Sequence, residues 1–391
     1  MAPSASLRDA LMDVSRPVFL FGTVPPMEGT DLPKCKEICE KFVARGRALA
    51  TDGYIVYDIQ EEKGRVPEPR PFPFRPMMEP SGYAGLLKAA SGKDSVVYKC
   101  VVEHSEGAFE DWVTTAKNVH GVETFNLVGG ATSTVQYSGP TMSDAAKVLT
   151  KHNLSFGGVT IAERHAKKGN EHSTIASKVD MGAQWFISQA IYEPQAMINT
   201  INEYGELCKK SGQSPVRVLL TFAPCGRPKT MKFIHWLGVN VPEDTEKAIL
   251  EAANPVMTSV ELLCGMCAKI LLETKASGVP LGISVESVSI FREEIDATHE
   301  LFRRTQALML DDQGIPWSVR WSHVAVNDKR TSFDSQRPLP KKVDDLLTLK
   351  SVDEKESKQA EPAEAVLSLK SSAFSFVVLA FGVAMGRMMK V

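Results

Sequence analysis

Phe156-Gly-Gly-Val-Thr-Ile161, a polar segment of helical period, and then Trp185-Phe-Ile-Ser-Gln189 follow one another in mid-chain, and their reading decides the fold. Each apolar run is too short for a buried helix and is apolar on both faces, as a strand inside a parallel sheet must be. After the second run, Met197, Ile201, Tyr204 and Cys208 recur at helical spacing and share one stripe. Strand, helix, strand, helix is the repeat of βα units around a parallel sheet.

Working outward, the same alternation extends from Val18 to about Gln306 and gives eight units. The other strand candidates are Val18–Gly22, Tyr54–Ile59, Ser95–Val102, Thr124–Val128, Val216–Phe222 and Gly282–Ser289. The first helix puts Cys35, Ile38, Cys39, Phe42 and Val43 on one stripe. An extra helix, with Val256, Val260, Leu263, Cys267 and Ile270 on one face, falls between the seventh and eighth strands. Eight βα units predict an α/β fold, a (β/α)₈ TIM barrel over residues 17–326 preceded by an N-terminal extension, residues 1–16.

Composition sets the bounds. With 391 residues, 43% hydrophobic and 24% charged, the chain can bury a full barrel core. The net charge of -2 and the lack of a basic stripe argue against a nucleic-acid partner. Seven cysteines, an odd number scattered through apolar segments, predict a reducing compartment. No signal-peptide core opens the chain, and Asp9 and Asp13 argue against a transit peptide, so a cytoplasmic location is expected. Cys264-Gly-Met-Cys267 has the spacing of half a zinc site or a redox pair, but no second pair completes it. Core packing is the expectation there, with no metal bound.

Residues 327–372 are dominated by Lys, Asp, Glu, Ser and Pro and predict a flexible linker. The mostly apolar Ala373–Val391 that follows has two readings. One is a tail anchor holding the barrel on an organelle membrane, facing the cytosol. The other is a short C-terminal apolar helix covering a groove on the barrel or on a partner. The oligomeric state is left open.

In such a barrel the loops after the strands make the active face, and here those ends are polar. They carry Asp58, Gln60 and Glu61, then Gly129 and Gly130, then Glu163 and His165, then Gln189, then Arg227, and finally Glu286. Convergence of acids, amides and bases on one rim predicts a polar ligand site. The Gly129-Gly130 pair allows close backbone approach to a ligand. His165 and Lys178 bring ionisable groups where a phosphate-bearing cofactor could be held, although a solvated helix face explains the lysines of this region equally well. No Gly-x-Gly-x-x-Gly fingerprint follows a strand, so a flavin would have to bind on the barrel itself.

Four stretches, Phe21-Gly-Thr-Val-Pro-Pro26, Gly157-Gly-Val-Thr-Ile-Ala-Glu-Arg-His165, Lys178-Val-Asp-Met-Gly-Ala-Gln-Trp-Phe-Ile-Ser-Gln189 and Phe233-Ile-His-Trp-Leu-Gly-Val-Asn-Val-Pro242, resemble the methylenetetrahydrofolate reductase family in order and spacing. The resemblance covers roughly Pro17 to Gln306. It implies a flavoprotein of one-carbon metabolism that uses FAD to carry a hydride from NAD(P)H to methylenetetrahydrofolate, an oxidoreductase with a folate substrate. It further implies that Gln189 binds the folate pterin and that Gly129, Gly130, His165 and Lys178 lie in segments that hold the flavin.

This sequence departs from the family at two acids. The family's first strand carries a glutamate, the general acid that helps open the folate ring, where this chain has Gly22. Its fourth strand ends Arg-Gly-Asp, where this chain reads Val128-Gly129-Gly130. Losing a positioned acid costs about 10² to 10⁴ in rate, so a substitute is needed, and Asp58 and Glu286 are the candidates for catalysis. The alternatives are a folate-dependent methyl-transfer enzyme and a folate-binding, catalytically inactive, membrane-tethered scaffold.

Overall fold

Eight strands, β1 (Phe19–Thr23), β2 (Gly53–Val56), β3 (Ser95–Cys100), β4 (Thr124–Val128), β5 (Ser155–Thr160), β6 (Trp185–Ala190), β7 (Arg217–Phe222) and β8 (Leu281–Val285), pair parallel in sequence order. β8 returns to β1 through Phe19↔Ile283 and Phe21↔Val285, so the predicted (β/α)₈ barrel is closed. These coordinates come from a computed structural model that describes residues 6–62, 66–103, 105–130 and 137–312. The linker read at 327–372 and the anchor or short helix read at Ala373–Val391 lie outside the described residues, as does the end of the expected domain.

Twelve α-helices are described: α1 (Leu7–Met12), α2 (Leu32–Arg45), α3 (Pro80–Ser91), α4 (Glu106–Asn118), α5 (Met142–Lys151), α6 (Ala162–Lys168), α7 (Glu171–Asp180), α8 (Pro194–Ser211), α9 (Pro228–Trp236), α10 (Glu243–Leu250), α11 (Pro255–Thr274) and α12 (Arg292–Asp312). Local chemistry sets their ends. Glu193 accepts from the Gln195 and Ala196 amides at the start of α8, Pro194 sits in the first turn, and Gly212 closes the helix at φ 70°. The stripe Met197, Ile201, Tyr204 and Cys208 is buried as the periodicity predicts. Between β7 and β8 there are three α-helices, one more than the unit's own helix and the extra one expected, because Gly238 at φ 78° and prolines 242 and 255 restart the helix twice.

Side chains alternate across the strands. Leu20, Ile55, Val96, Tyr98, Trp185, Ile187 and Leu219 point into the barrel as one cluster, and the opposite parity packs under the helices. Gly157 makes room for Trp185: a Cβ there would fall 2.3 Å from the indole Nε1. Within the N-terminal extension read at residues 1–16, helix α1 closes the barrel floor. Leu7, Ala10 and Leu11 of α1 join the interior cluster. Buried Arg217 donates to the carbonyls of Leu11, Asp13, Arg16 and Leu281 and so ties α1 to β7 and β8.

All seven cysteines are buried and unpaired. Burial pushes the Cys264 thiol up to about 12 and holds that of Cys267 well above its ordinary value, as core-packed thiols require. Their helix, with its extension to Ser277, is apolar enough by composition to cross a membrane, at mean hydropathy 1.5, but half of it is buried and it packs on α8 and α12.

β2 stops at Val56 rather than Ile59, and β8 at Val285 rather than Ser289, because pairing with the neighbouring strands ends there. Asp58 and Glu286 therefore sit just past their strands, at the C-terminal mouth.

Candidate active site at the C-terminal mouth

Gly22 and Glu286 explain each other. A Cβ on residue 22 would lie 2.8 Å from Glu286 Cβ, 3.0 Å from its Oε2 and 3.2 Å from the Tyr57 ring. The space a side chain on β1 would fill is thus taken by a carboxyl carried on the adjoining strand, β8. Two backbone bonds continue the ladder past the strand ends and fix this arrangement. The Glu286 amide donates to the Phe222 carbonyl at 3.1 Å, and the Tyr57 amide to that of Thr23 at 3.2 Å.

The surroundings keep this carboxyl protonated further up the pH scale than usual. Burial raises Glu286 from 4.5 to about 7, and a hydrogen bond with Tyr57 partly offsets the rise. Oε2 is buried without a hydrogen-bond partner. The Tyr57 and Tyr98 rings pack at 4.6 Å between centroids, tilted by 51°. Both phenols are held well above their ordinary range by burial and then by the Glu286 charge, so they stay neutral donors.

Further inside, the Asn126 amide lies against the Tyr98 phenol and the Ser284 hydroxyl against that of Tyr57, while the Thr221 hydroxyl is buried without a hydrogen-bond partner. By strand alternation Asn126, Thr221 and Ser284 share the inward face with Tyr98 and Leu219. Buried polar groups ordinarily find partners, so a set of them gathered around one buried carboxyl makes this mouth the candidate ligand site. Sequence reading missed Tyr57, Tyr98, Asn126, Thr221 and Ser284. The period-two pattern around Phe125-Asn126-Leu127 carried the signal for Asn126.

Gln189 stands at the end of β6, two strands from Glu286 and therefore about 10 Å away by strand spacing. The register against β7 shifts between Ile187 and Ala190. Ser188 bridges that irregularity, its hydroxyl accepting from the Thr221 amide and donating to the Gln189 carbonyl. The Gln189 amide nitrogen donates to the Leu237 carbonyl at 2.6 Å, which leaves the side-chain oxygen as an acceptor.

The other expected residues are placed differently. Asp58 accepts from the Cys100 amide and from Gln60, both at 2.9 Å, and pairs with Lys99 at 3.4 Å, with both side chains buried. Lys99 also lies over the Trp112 ring of α4, so this pair belongs to the layer between sheet and helices, and Asp58 is not brought together with Glu286. Gly129 has open space where a Cβ would be, whereas the space beside Gly130 is filled by the Tyr137 ring, 2.1 Å from such a Cβ. Lys178 donates to the Val159 carbonyl at 3.0 Å, and burial pulls its pKa down. His165 is buried against Glu203 of α8. Among the described residues these four do not assemble a flavin cradle: Gly129 is open, and the other three meet protein groups.

Past β7, Glu294 from α12 accepts from the Gly226 and Arg227 amides and from the Thr230 hydroxyl and so caps α9. Arg227 lies over Phe291 and pairs with Glu293. A cavity of about 180 Å³ lies at the barrel's other end, lined by Arg16, Arg217 and Lys275, away from the strand C-termini.

No family description and no curated protein matches the sequence. Among solved structures, a chain described as an uncharacterized protein from Clostridium thermocellum that binds two copies of 5-methyl-5,6,7,8-tetrahydrofolic acid is similar to this one. It is 26% identical, the match covers 78% of this chain and 99% of that one, and the TM-score is 0.66.

Proposed function

We propose that the barrel binds a reduced folate at its C-terminal mouth and uses Glu286 as the proton donor of a one-carbon reaction. The observation that carries this reading is the carboxyl of Glu286 seated against Gly22, where the resembled family keeps its acid on the first strand. Gln189, at the same end of the barrel, keeps its side-chain oxygen available to accept from a ligand edge while its nitrogen is held by the Leu237 carbonyl. The similarity to a methyltetrahydrofolate-binding barrel supports the ligand class.

The chemistry that needs such an acid is reduction of methylenetetrahydrofolate to methyltetrahydrofolate. Opening the five-membered ring requires a proton on the departing nitrogen, and a carboxyl with a pKa of about 7 is still substantially protonated at neutral pH. Neutral Tyr57 and Tyr98 line the approach and hold the acid in place. In the reductase reading the hydride would come from FAD reduced by NAD(P)H; of the four residues expected to hold such a group only Gly129 leaves open space toward it, and the part derived from this chain is the proton held on Glu286. A second reading, folate binding without turnover, is favoured by the Tyr137 ring packed on Gly130 and by the lack of an acid at the end of β4.

The test is an absorbance spectrum of the purified full chain, followed by calorimetric titration with 5-methyltetrahydrofolate and addition of NAD(P)H with methylenetetrahydrofolate. Flavin bands bleached by NAD(P)H and restored by methylenetetrahydrofolate establish the reductase. Folate binding by a colourless protein selects the second reading. Binding of no reduced folate sinks both.

A further inference from the structure

His165 on α6, His172 on α7 and Glu203 on α8 meet outside the barrel wall. His165 Nε2 lies 3.2 Å from Glu203 Oε1, and His172 Nδ1 lies 3.1 Å from Oε2. The imidazole rings stand edge to face at 5.6 Å, and one ligand atom from each residue falls within 4.8 Å of the others. Side-chain exposure rises outward, from 5% at His165 through 21% at His172 to 51% at Glu203, so solvent reaches one side of the group.

Hydrogen bonding leaves this cluster incomplete. Nδ1 of buried His165 has no partner, and Nδ1 of His172 makes no hydrogen bond although a carboxylate oxygen is 3.1 Å away. A ring nitrogen and a carboxylate oxygen that approach without hydrogen-bond geometry are placed as two ligands of one ion are. Ligands at about 2.0–2.1 Å from a tetrahedral centre stand about 3.3 Å apart, close to the His172–Glu203 separation, and also to the His165–Glu203 one, which runs to the other carboxylate oxygen and is a hydrogen bond in the absence of an ion. Two imidazoles and one carboxylate, with the outer side left to water, form a donor set for borderline divalent ions such as Zn²⁺ or Co²⁺.

We infer that this cluster is a divalent transition-metal site in which His165, His172 and Glu203 hold the ion and water completes its shell. The ion cross-links α6, α7 and α8. Because α6 follows β5 directly and α7 carries Lys178, which donates to the Val159 carbonyl of β5, the cross-link fixes the rim beside the strand that bears Gln189. The cluster shares no residue with the Glu286 site, so it stands independently of the folate reading.

Co²⁺ titration of the chelator-treated full chain, read by visible absorbance, tests it, with His172→Gln and Glu203→Gln as the variants, both at partly exposed positions. The expected result is ligand-field bands saturating at about one Co²⁺ per chain. Each variant should bind at least tenfold more weakly, and Zn²⁺ should raise the wild-type melting temperature but not that of the variants. Bands absent from the wild type, or equal in all three proteins with unaltered melting in the variants, would overturn the inference.

Discussion

Glu286→Gln replaces a titrating carboxyl by a neutral amide of nearly the same shape, and the geometry gives the size of the effect. The folded pKa of about 7 lies above the ordinary 4.5. Below about pH 4.5 the group is protonated in both states, and its titration contributes nothing. Between 4.5 and 7 the unfolded chain ionises while the folded one does not, so stability falls as pH rises. Above pH 7 the loss is complete at about 3 kcal/mol, of which about 2.5 kcal/mol accrues between pH 5 and pH 8. Unfolding entropy of about 2.1 cal/mol/K per residue over roughly 300 residues converts this to about 4 °C. The glutamine variant lacks the titration. Its melting temperature, followed by fluorescence or calorimetry from pH 5 to pH 8, should therefore climb by about that amount relative to wild type. A gap between the two proteins that stays constant across this range would refute the reasoning, since it would mean that solvent reaches the carboxyl and leaves it ionised in the fold.

Gln189→Leu removes the amide offered to the mouth and should weaken 5-methyltetrahydrofolate binding about tenfold, the equivalent of one hydrogen bond of ~1.4 kcal/mol, by calorimetry; unchanged affinity would remove Gln189 from the site. Arg217→Ala strips four backbone carbonyls of their donor and releases α1 from the barrel floor. A stability loss of about 3 kcal/mol or more is expected in urea unfolding, with faster amide exchange in α1, and intact protection there would contradict the plug.

The barrel was legible because its signals are local. Apolar runs such as Trp185-Phe-Ile-Ser-Gln189 and the stripe from Met197 to Cys208 report burial through their own period, and eight repeats of one unit allow few closures. The rim was legible too, since parallel strands all end on the same side and put Gln189 and Glu286 there together. The sequence could not separate Asp58 from Glu286, because both are acids just past a strand. Their difference lies in what surrounds them: Asp58 meets Lys99 and the Cys100 amide, while Glu286, among the described residues, meets two phenols and no cation. Nor could it show that Glu286 fills the space left by Gly22, 264 positions earlier. Composition and periodicity, which are properties of neighbouring residues, determined the fold by themselves. Burial, the seating of Glu286 against Gly22, and the meeting of His165, His172 and Glu203 depend on distances that exist only after the barrel closes, and these the tertiary structure decided.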